Sequence, residues 1–139
     1  MGGGGRAPRV QSVPEFLSPE WIAALDAAAA PLTVPDGVGD LTIEQVVRRG
    51  PGDEVRYQVV FADGRVRVRA GDGAEPDVRV IADAATAAAI HRGELSAQAA
   101  LATGRAKLQG PIQHLRGREA VLRGLDDAFA SVRATTTFP

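Results

Sequence analysis

The side chains that most often carry out catalysis are few in this sequence. It contains two histidines and no cysteine, which excludes disulfides, thiolate nucleophiles and sulfur-ligated metals. His91 and His114 lie in separate segments, and Ser96 lacks the Gly-x-Ser-x-Gly setting of a hydrolase nucleophile. No set of histidines and carboxylates has the spacing of a metal site. The sequence therefore predicts neither an enzyme nor a bound cofactor or metal.

The titratable residues that remain have structural interpretations. His91 falls in the last turn of a predicted helix, where the helix dipole favours a cation. The neighbouring carboxylates Asp53 and Glu54 fall in a predicted turn, and Asp126 and Asp127 fall on the polar side of a predicted helix. Exposure to water accounts for the presence of all four acidic side chains at these positions, so none of them requires a functional role.

A second chemical feature is arginine, since Lys107 is the only lysine. Strand alternation places five guanidinium groups on one face of a predicted sheet: Arg56, Arg65, Arg67, Arg69 and Arg79. Such a face can bind phosphates, headgroups or a coenzyme A tail. The net charge of −1 and the lack of interleaved aromatic residues argue against nucleic acid. We interpret it as a solvated face that hinders aggregation between sheets, with at most transient membrane contact.

The sequence predicts how the strands that carry these arginines pair with each other. A two-residue hairpin signal at residues 63–64 pairs Phe61 with Val66 and Val59 with Val68. Both apolar pairs then lie on one face and the arginines on the other, as a half-buried antiparallel sheet requires.

Helix signals flank the strands. Ser18 is placed as the N-cap of a helix that begins at Pro19 and ends before Pro31. A last helix begins at residues 110–111. It carries an apolar stripe at helical spacing: Leu115, Leu122, Leu125, Phe129 and Val132.

The segment 77–110 reads as a lid over the apolar face of the sheet. It combines a short strand, two alanine-rich helices capped by Asp83 and Ser96, and a return strand at 106–109. Gly93 is placed to end the first helix in the left-handed conformation. Aromatic residues make up only 4% of the chain, so few bulky side chains are available to fill the space beneath the lid.

The order of elements is one helix, three or four antiparallel strands, two short helices, another strand and a long helix. This order predicts an α+β fold with the helices on one face. We expect a flexible leader at 1–14, a single domain at 15–134 and a loose tail at 135–139. No apolar run is long enough for a membrane span, and no targeting signal is evident, which favours the cytoplasm.

Several separated pieces of the chain resemble the sterol carrier protein type 2 family of lipid-binding domains. They are a Gly-Glu-Leu-Ser turn at 93–96 with the short helix after it, and a Gly-Arg-x-Lys-Leu-x-Gly strand at 104–110. The opening Phe-Leu-Ser-Pro-Glu-Trp at 16–21 is similar to bacterial members that stand alone. The resemblance covers residues 16–132. It implies a five-stranded, mainly antiparallel sheet covered on one face by helices, with an apolar tunnel between, and binding of fatty acids, fatty acyl-CoA or sterols without chemical change.

On this resemblance we expect reversible binding of a lipid or other apolar small molecule between the sheet and the alanine-rich helices. We expect eight apolar side chains in the cavity wall: Phe61, Val68, Val80, Ile90, Leu101, Leu115, Leu122 and Phe129.

Two other interpretations remain open. Alanine seams permit close helix packing, so the domain can instead have a closed core and act as an accessory or dimerisation module of a partner enzyme. A homodimer is compatible with either interpretation. An isomerase or cyclase acting in the cavity is a third, although no acid–base pair is predicted to face inward.

Overall fold

The computed structural model describes residues 14–35, 37–71, 73 and 75–138. The expected leader, apart from Pro14, lies outside the described residues. The elements are, in chain order, α1 (Pro19–Ala29), β1 (Leu41–Gly50), β2 (Asp53–Ala62), β3 (Arg65–Ala70), β4 (Val78–Asp83), α2 (Ala84–His91), α3 (Ala97–Ala102), β5 (Ala106–Gln109), a 3-10 helix (Ile112–Leu115) and α4 (Glu119–Arg133).

The strands form one five-stranded sheet in the order β3-β2-β1-β4-β5. β1 and β4 pair in parallel, and the other three neighbouring pairs are antiparallel. The hairpin register is confirmed, since Phe61 pairs with Val66 and Val59 with Val68. The expected α+β class with a mainly antiparallel sheet is therefore confirmed.

The helices pack on the apolar face of this sheet. The main core lies beneath α1, where Trp21, Leu25 and Phe61 are at most 1% exposed. The Ser18 hydroxyl accepts a hydrogen bond from the Trp21 N–H, which confirms the predicted start of α1. Asp26, further along α1, covers the β3 edge by accepting a hydrogen bond from the Val68 N–H.

The opposite face of the sheet is crossed by the connection from β3 to β4. This connection must pass β2 and β1, because both lie between the strands that it joins. Its ends are held where the Gly71 N–H donates to the Arg56 carbonyl and the Asp77 N–H donates to the Thr42 carbonyl. A Cβ atom placed on Gly73 would lie 3.4 Å from Gln58 Oε1, so the crossing chain covers the centre of this face.

This covering corrects the expectation of a simply solvated arginine face. Glu44, at the centre of the face, is completely buried and accepts hydrogen bonds from Arg56 (3.0 Å), Gln58 (3.2 Å) and Arg79 (2.7 Å). Burial alone would raise the pKa of Glu44, but the hydrogen bonds from Arg79 and Gln58, together with the charges of Arg79 and Arg56, lower it overall. At least two of the predicted surface arginines therefore neutralise a buried carboxylate.

The end of the chain differs from its sequence expectations in two places. The predicted last helix is divided, because Gly117 has φ +79° between the 3-10 helix and α4. The tail expected to be loose is attached, since Thr137 bridges to Glu15 and the Phe138 ring lies 5.3 Å from that of Phe16. Of the helices in the described residues, none is long and apolar enough to span a bilayer.

Candidate functional site

The most open part of the covered sheet face is one row of side chains that runs across three strands. Gln45 of β1 pairs with Val80 of β4, and Val80 pairs with Leu108 of β5. All three side chains point toward the helices, yet each is only half-buried. We call this row and the space above it the trough.

On β1, β4 and β5 the rows on either side of the trough are closed, whereas Val55 of β2, next to Val47, is half-buried. On one side, Ile43 and Val78 are 6% and 1% exposed. On the other side, Val47, Ala82 and Ala106 are between 3% and 8% exposed. In a solidly packed core, the middle row would be buried at least as deeply as the rows beside it, because it includes Gln45 on the central strand β1. The row between them is therefore left partly uncovered by the helices.

The sides of the trough come from two separate apolar clusters. One cluster is built on Ala82, Ala100 and Ala106, where α3 packs on β5, and the other is the main core. Val80 contacts both clusters. Half-buried apolar side chains pack against the two clusters: Ile90, Leu95 and Leu101 against the first, and Leu115, Val121, Leu122 and Phe129 against the second.

The eight residues expected in a cavity wall fall into two groups. Phe61 and Val68 are 1% and 3% exposed and lie within the closed main core. The other six are half-buried and pack against one or both clusters: Val80, Ile90, Leu101, Leu115, Leu122 and Phe129. The sequence could not distinguish these groups, because Phe61 and Val80 occupy equivalent inward positions of their strands.

One end of the trough is closed by aromatic rings. Tyr57 of β2 pairs with Gln45 and is 3% exposed. Its hydroxyl lies 3.3 Å from His91 Nε2 at the end of α2. The His91 ring contacts the rings of Trp21 (4.9 Å between centroids) and Phe16 (5.7 Å). The other end of the row reaches the β5 edge of the sheet at Leu108.

The environment of His91 corrects the expectation of a cation. Burial, with a smaller effect from the charge of Arg133, lowers the pKa of His91 to about 4. Burial also raises the pKa of Tyr57. Both rings are therefore uncharged at neutral pH, and desolvation outweighs the helix dipole that favours a cation at the end of α2.

The sequence reasoning missed three residues of this row, Gln45, Tyr57 and Leu108, and Gln45 is the polar one without a partner among them. Its side-chain amide has no hydrogen-bond partner in the part of the chain that the structure describes. A signal was present, because Gln45 continues the inward alternation of Leu41 and Ile43 before Val47. Because Gln45 is only half-buried, its amide is accessible to water or to a ligand.

Features outside the trough offer less chemistry. A depression of about 480 Å³ lies between the β1–β2 turn and the start of α2, open to solvent. Its guanidinium groups, Arg48 and Arg49, already pair with Glu54 and Asp53. No cluster of three metal-ligating side chains occurs among residues 14–35, 37–71, 73 and 75–138.

Three solved structures share the fold. A conserved hypothetical protein of Thermus thermophilus, described as possibly a sterol carrier protein, is 23% identical, with a TM-score of 0.60 over 87% of this chain and 92% of its own. A crystal structure of sterol carrier protein 2 is 21% identical, with a TM-score of 0.57 over 87% and 96%. A palmitated sterol carrier protein 2-like protein of Aedes aegypti is 18% identical, with a TM-score of 0.52 over 85% and 95%.

The comparison with curated proteins found no match. The model of the SCP-2 sterol transfer family, in contrast, matches residues 37–123, from the connector before β1 into α4. The matched region contains the whole sheet and the trough between its helices. The chain therefore belongs to the SCP-2 sterol transfer family.

Proposed function

We propose that this protein binds an apolar small molecule reversibly in the trough and releases it chemically unchanged. The observation that carries the proposal is the half-buried row Gln45–Val80–Leu108 between two closed rows. Membership of a sterol transfer family supports it, as does the palmitate reported for the Aedes aegypti structure. A cytoplasmic location and a lipid as the natural ligand are part of the same proposal.

The physical mechanism is transfer of an alkyl or ring system from water to the trough. From Tyr57 to Leu108 the row crosses four strands, which corresponds to about 14 Å at the usual spacing between strands. Burial of about twelve methylenes contributes roughly 10 kcal/mol. Association costs at least about 4 kcal/mol, which leaves a dissociation constant in the range of roughly tens of micromolar. This affinity suits a carrier that must also release its ligand.

Native mass spectrometry of freshly purified protein and displacement of a fluorescent fatty acid test the proposal. We expect either a co-purified lipid adduct or saturable binding of the fluorescent probe, with competition by unlabelled lipids. A protein that carries no lipid and shows no saturable binding would contradict it.

The alternative is an accessory or dimerisation module with a closed core. It is favoured by the small side chains Ala87, Ala88 and Ala100, which are almost fully buried and allow close helix packing. Under this alternative the half-buried row would be covered by a partner or by a second copy. It predicts a stable complex and no lipid binding by the isolated chain.

A further inference from the structure

The β5 edge of the sheet carries an uneven share of the charge of this protein. Residues 95–118, which include α3, β5 and the 3-10 helix, contain three arginines, one lysine and no acidic residue. The whole chain has a net charge of −1, so the remainder of the chain is acidic. Because β5 is the outermost strand on its side, side chains from both of its faces border this one edge. The edge is therefore a positive pole on a molecule that is nearly neutral overall.

Three cations of this edge are exposed: Arg105, Lys107 and Arg116. None of them forms an ion pair with a carboxylate in the part of the chain that the structure describes. Hydrogen bonds from Thr86 lower the pKa of Asp83, and the charge of Arg105 adds a smaller effect without an ion pair. Elsewhere on the molecule, six arginines each pair with a carboxylate: Arg48, Arg49, Arg56, Arg67, Arg79 and Arg92. The cations at the β5 edge are thus available to an external anion.

An exposed apolar side chain lies in the same region. Ile112 is 57% exposed, and no other large apolar residue is exposed among residues 14–35, 37–71, 73 and 75–138. It begins the 3-10 helix that follows β5, and its neighbours Pro111 and Gln113 are exposed as well. One exposed apolar side chain is common on a protein surface. Its position between unpaired cations is what suits the interface of an anionic bilayer, which takes up apolar and cationic side chains together.

The backbone holds Ile112 close to the end of the trough. Leu108, the last residue of the half-buried row, precedes Ile112 by four residues. The turn between them lies against β4, since a Cβ atom placed on Gly110 would be 2.7 Å from the Asp77 carbonyl oxygen. Beyond the 3-10 helix, the Arg118 guanidinium donates to backbone carbonyls of that helix and of the connector before β1. The exposed isoleucine is therefore on a segment that is held at both ends.

We propose that the edge formed by Arg105, Lys107, Ile112 and Arg116 docks on the surface of an anionic lipid bilayer. The cations lie against the headgroup phosphates, and Ile112 enters the interfacial region beside them. The inference rests on the proposed function for its purpose, since docking places Leu108, where the trough reaches this edge, against a source of apolar ligand. Nucleic acid fits the same charges less well, because residues 95–118 contain no Phe, Tyr or Trp to stack on bases.

Co-sedimentation of the full chain with lipid vesicles tests the proposal. We expect binding to phosphatidylcholine vesicles that contain about one third phosphatidylglycerol, and little binding to phosphatidylcholine alone. Binding should disappear in about 1 M salt, where the Debye length falls to roughly 3 Å. Lys107→Gln and Arg116→Gln should each lower the partition coefficient about fivefold, and the two together about 25-fold. Ile112→Gln should lower it at least about threefold.

The double replacement of Arg65 and Arg69 by glutamine is the matched control. Both arginines are exposed and form no ion pair within the described residues, but β3 is the opposite edge of the sheet. The control removes the same charge and should change the partition coefficient by less than about twofold, because salt screens distant charges. A control that weakens binding as much as the Lys107 and Arg116 replacements would overturn the assignment to the β5 edge.

The orientation on the bilayer has its own readout. In Ile112→Trp the added indole should be quenched by brominated lipids, whereas Trp21, which is 1% exposed, should not be quenched in the wild type. An Ile112→Trp protein that sediments with vesicles without being quenched would contradict the proposed orientation.

The docking surface and the proposed function can fail separately. Without vesicles, the combined Lys107→Gln and Arg116→Gln protein should displace the fluorescent fatty acid like the wild type. A wild type that binds the fatty acid but no anionic vesicle would overturn the docking surface alone. A wild type that binds vesicles but no fatty acid would overturn the proposed function alone.

Discussion

At the scale of single residues, His91 shows that burial in the fold can outweigh the effect of the helix dipole on a pKa. Its place at the end of α2 favours protonation through the helix dipole. In the fold, however, the ring is enclosed by Phe16 and Trp21 and bound to Tyr57. Burial lowers its pKa to about 4, compared with about 6.5 for an exposed histidine. The folded protein therefore binds a proton at His91 less readily than the unfolded chain.

This difference predicts a pH dependence of stability. Because the folded pKa lies below the unfolded one, the contribution of neutral His91 is fully present above about pH 6.5 and is lost as the pH falls toward 4. Between pH 7 and pH 5 we expect a loss of about 2 kcal/mol from this residue. Urea unfolding followed through the fluorescence of Trp21, the only tryptophan, measures it.

The variant His91→Phe separates this effect from the titration of carboxylates. Phenylalanine cannot be protonated, so the variant should lose about 2 kcal/mol less than the wild type over the same pH interval. His114→Phe is the control, because it makes the same replacement at the other histidine, in the 3-10 helix. Equal losses in wild type and His91→Phe would show that His91 does not carry the dependence.

Two further residues mark where sequence reasoning reached its limit. The alternation of β1 correctly placed Glu44 on the face opposite Leu41 and Ile43. Its complete burial was not predictable, because it depends on a connection that crosses the sheet from a distant strand. Gln45 was visible as a polar residue in an apolar row, but its partial exposure depends on how the helices pack above the sheet.

At the scale of elements, local signals determined the helices well. Ser18, Asp83 and Ser96 each accept the capping hydrogen bond that their positions predict. The hairpin register was also predictable, because a two-residue turn and a single apolar face are compatible with only one pairing of β2 with β3. The division of the last helix was missed, since the apolar stripe continues from Leu115 through a glycine that interrupts the helix.

The two glycines of this region should respond oppositely to alanine. Gly117 has φ +79°, and a Cβ atom added to it would meet no atom within 4 Å, so Gly117→Ala should destabilise the fold by about 1 kcal/mol through the backbone alone. Gly124 lies inside α4 with equally open space around it, so Gly124→Ala should stabilise by roughly 0.5–1 kcal/mol. Urea denaturation of both variants measures the two signs. A stabilising Gly117→Ala would mean that the 3-10 helix and α4 can join into one helix.

At the scale of the whole molecule, α4 packs mainly against α1 and α2. Arg118 at its start donates to the carbonyls of Val38 (2.7 Å) and Asp40 (3.2 Å), and Arg133 at its end donates to that of His91. Both ends of α4 are thus hydrogen-bonded to other parts of the chain. The apolar residues of α4 between these hydrogen bonds are unequally buried, since Leu125 is 7% exposed and Leu122 is half-buried. The family relationship and the order of elements were predictable, but this unequal coverage arises only from the assembled packing.

The unequal burial of these two leucines provides a test of whether the molecule is hollow or solid. Leu125→Trp should overpack the main core and cost about 1–3 kcal/mol in the free energy of unfolding. Leu122→Trp should place its larger ring in the trough, with a loss below about 1 kcal/mol, and should block binding of the fluorescent fatty acid. Circular dichroism in urea and probe titration measure the two quantities on the same samples. If Leu122→Trp is as destabilised as Leu125→Trp while ligand binding is undetectable in the wild type, the helices fill the space above the sheet and the closed-core module is the better description.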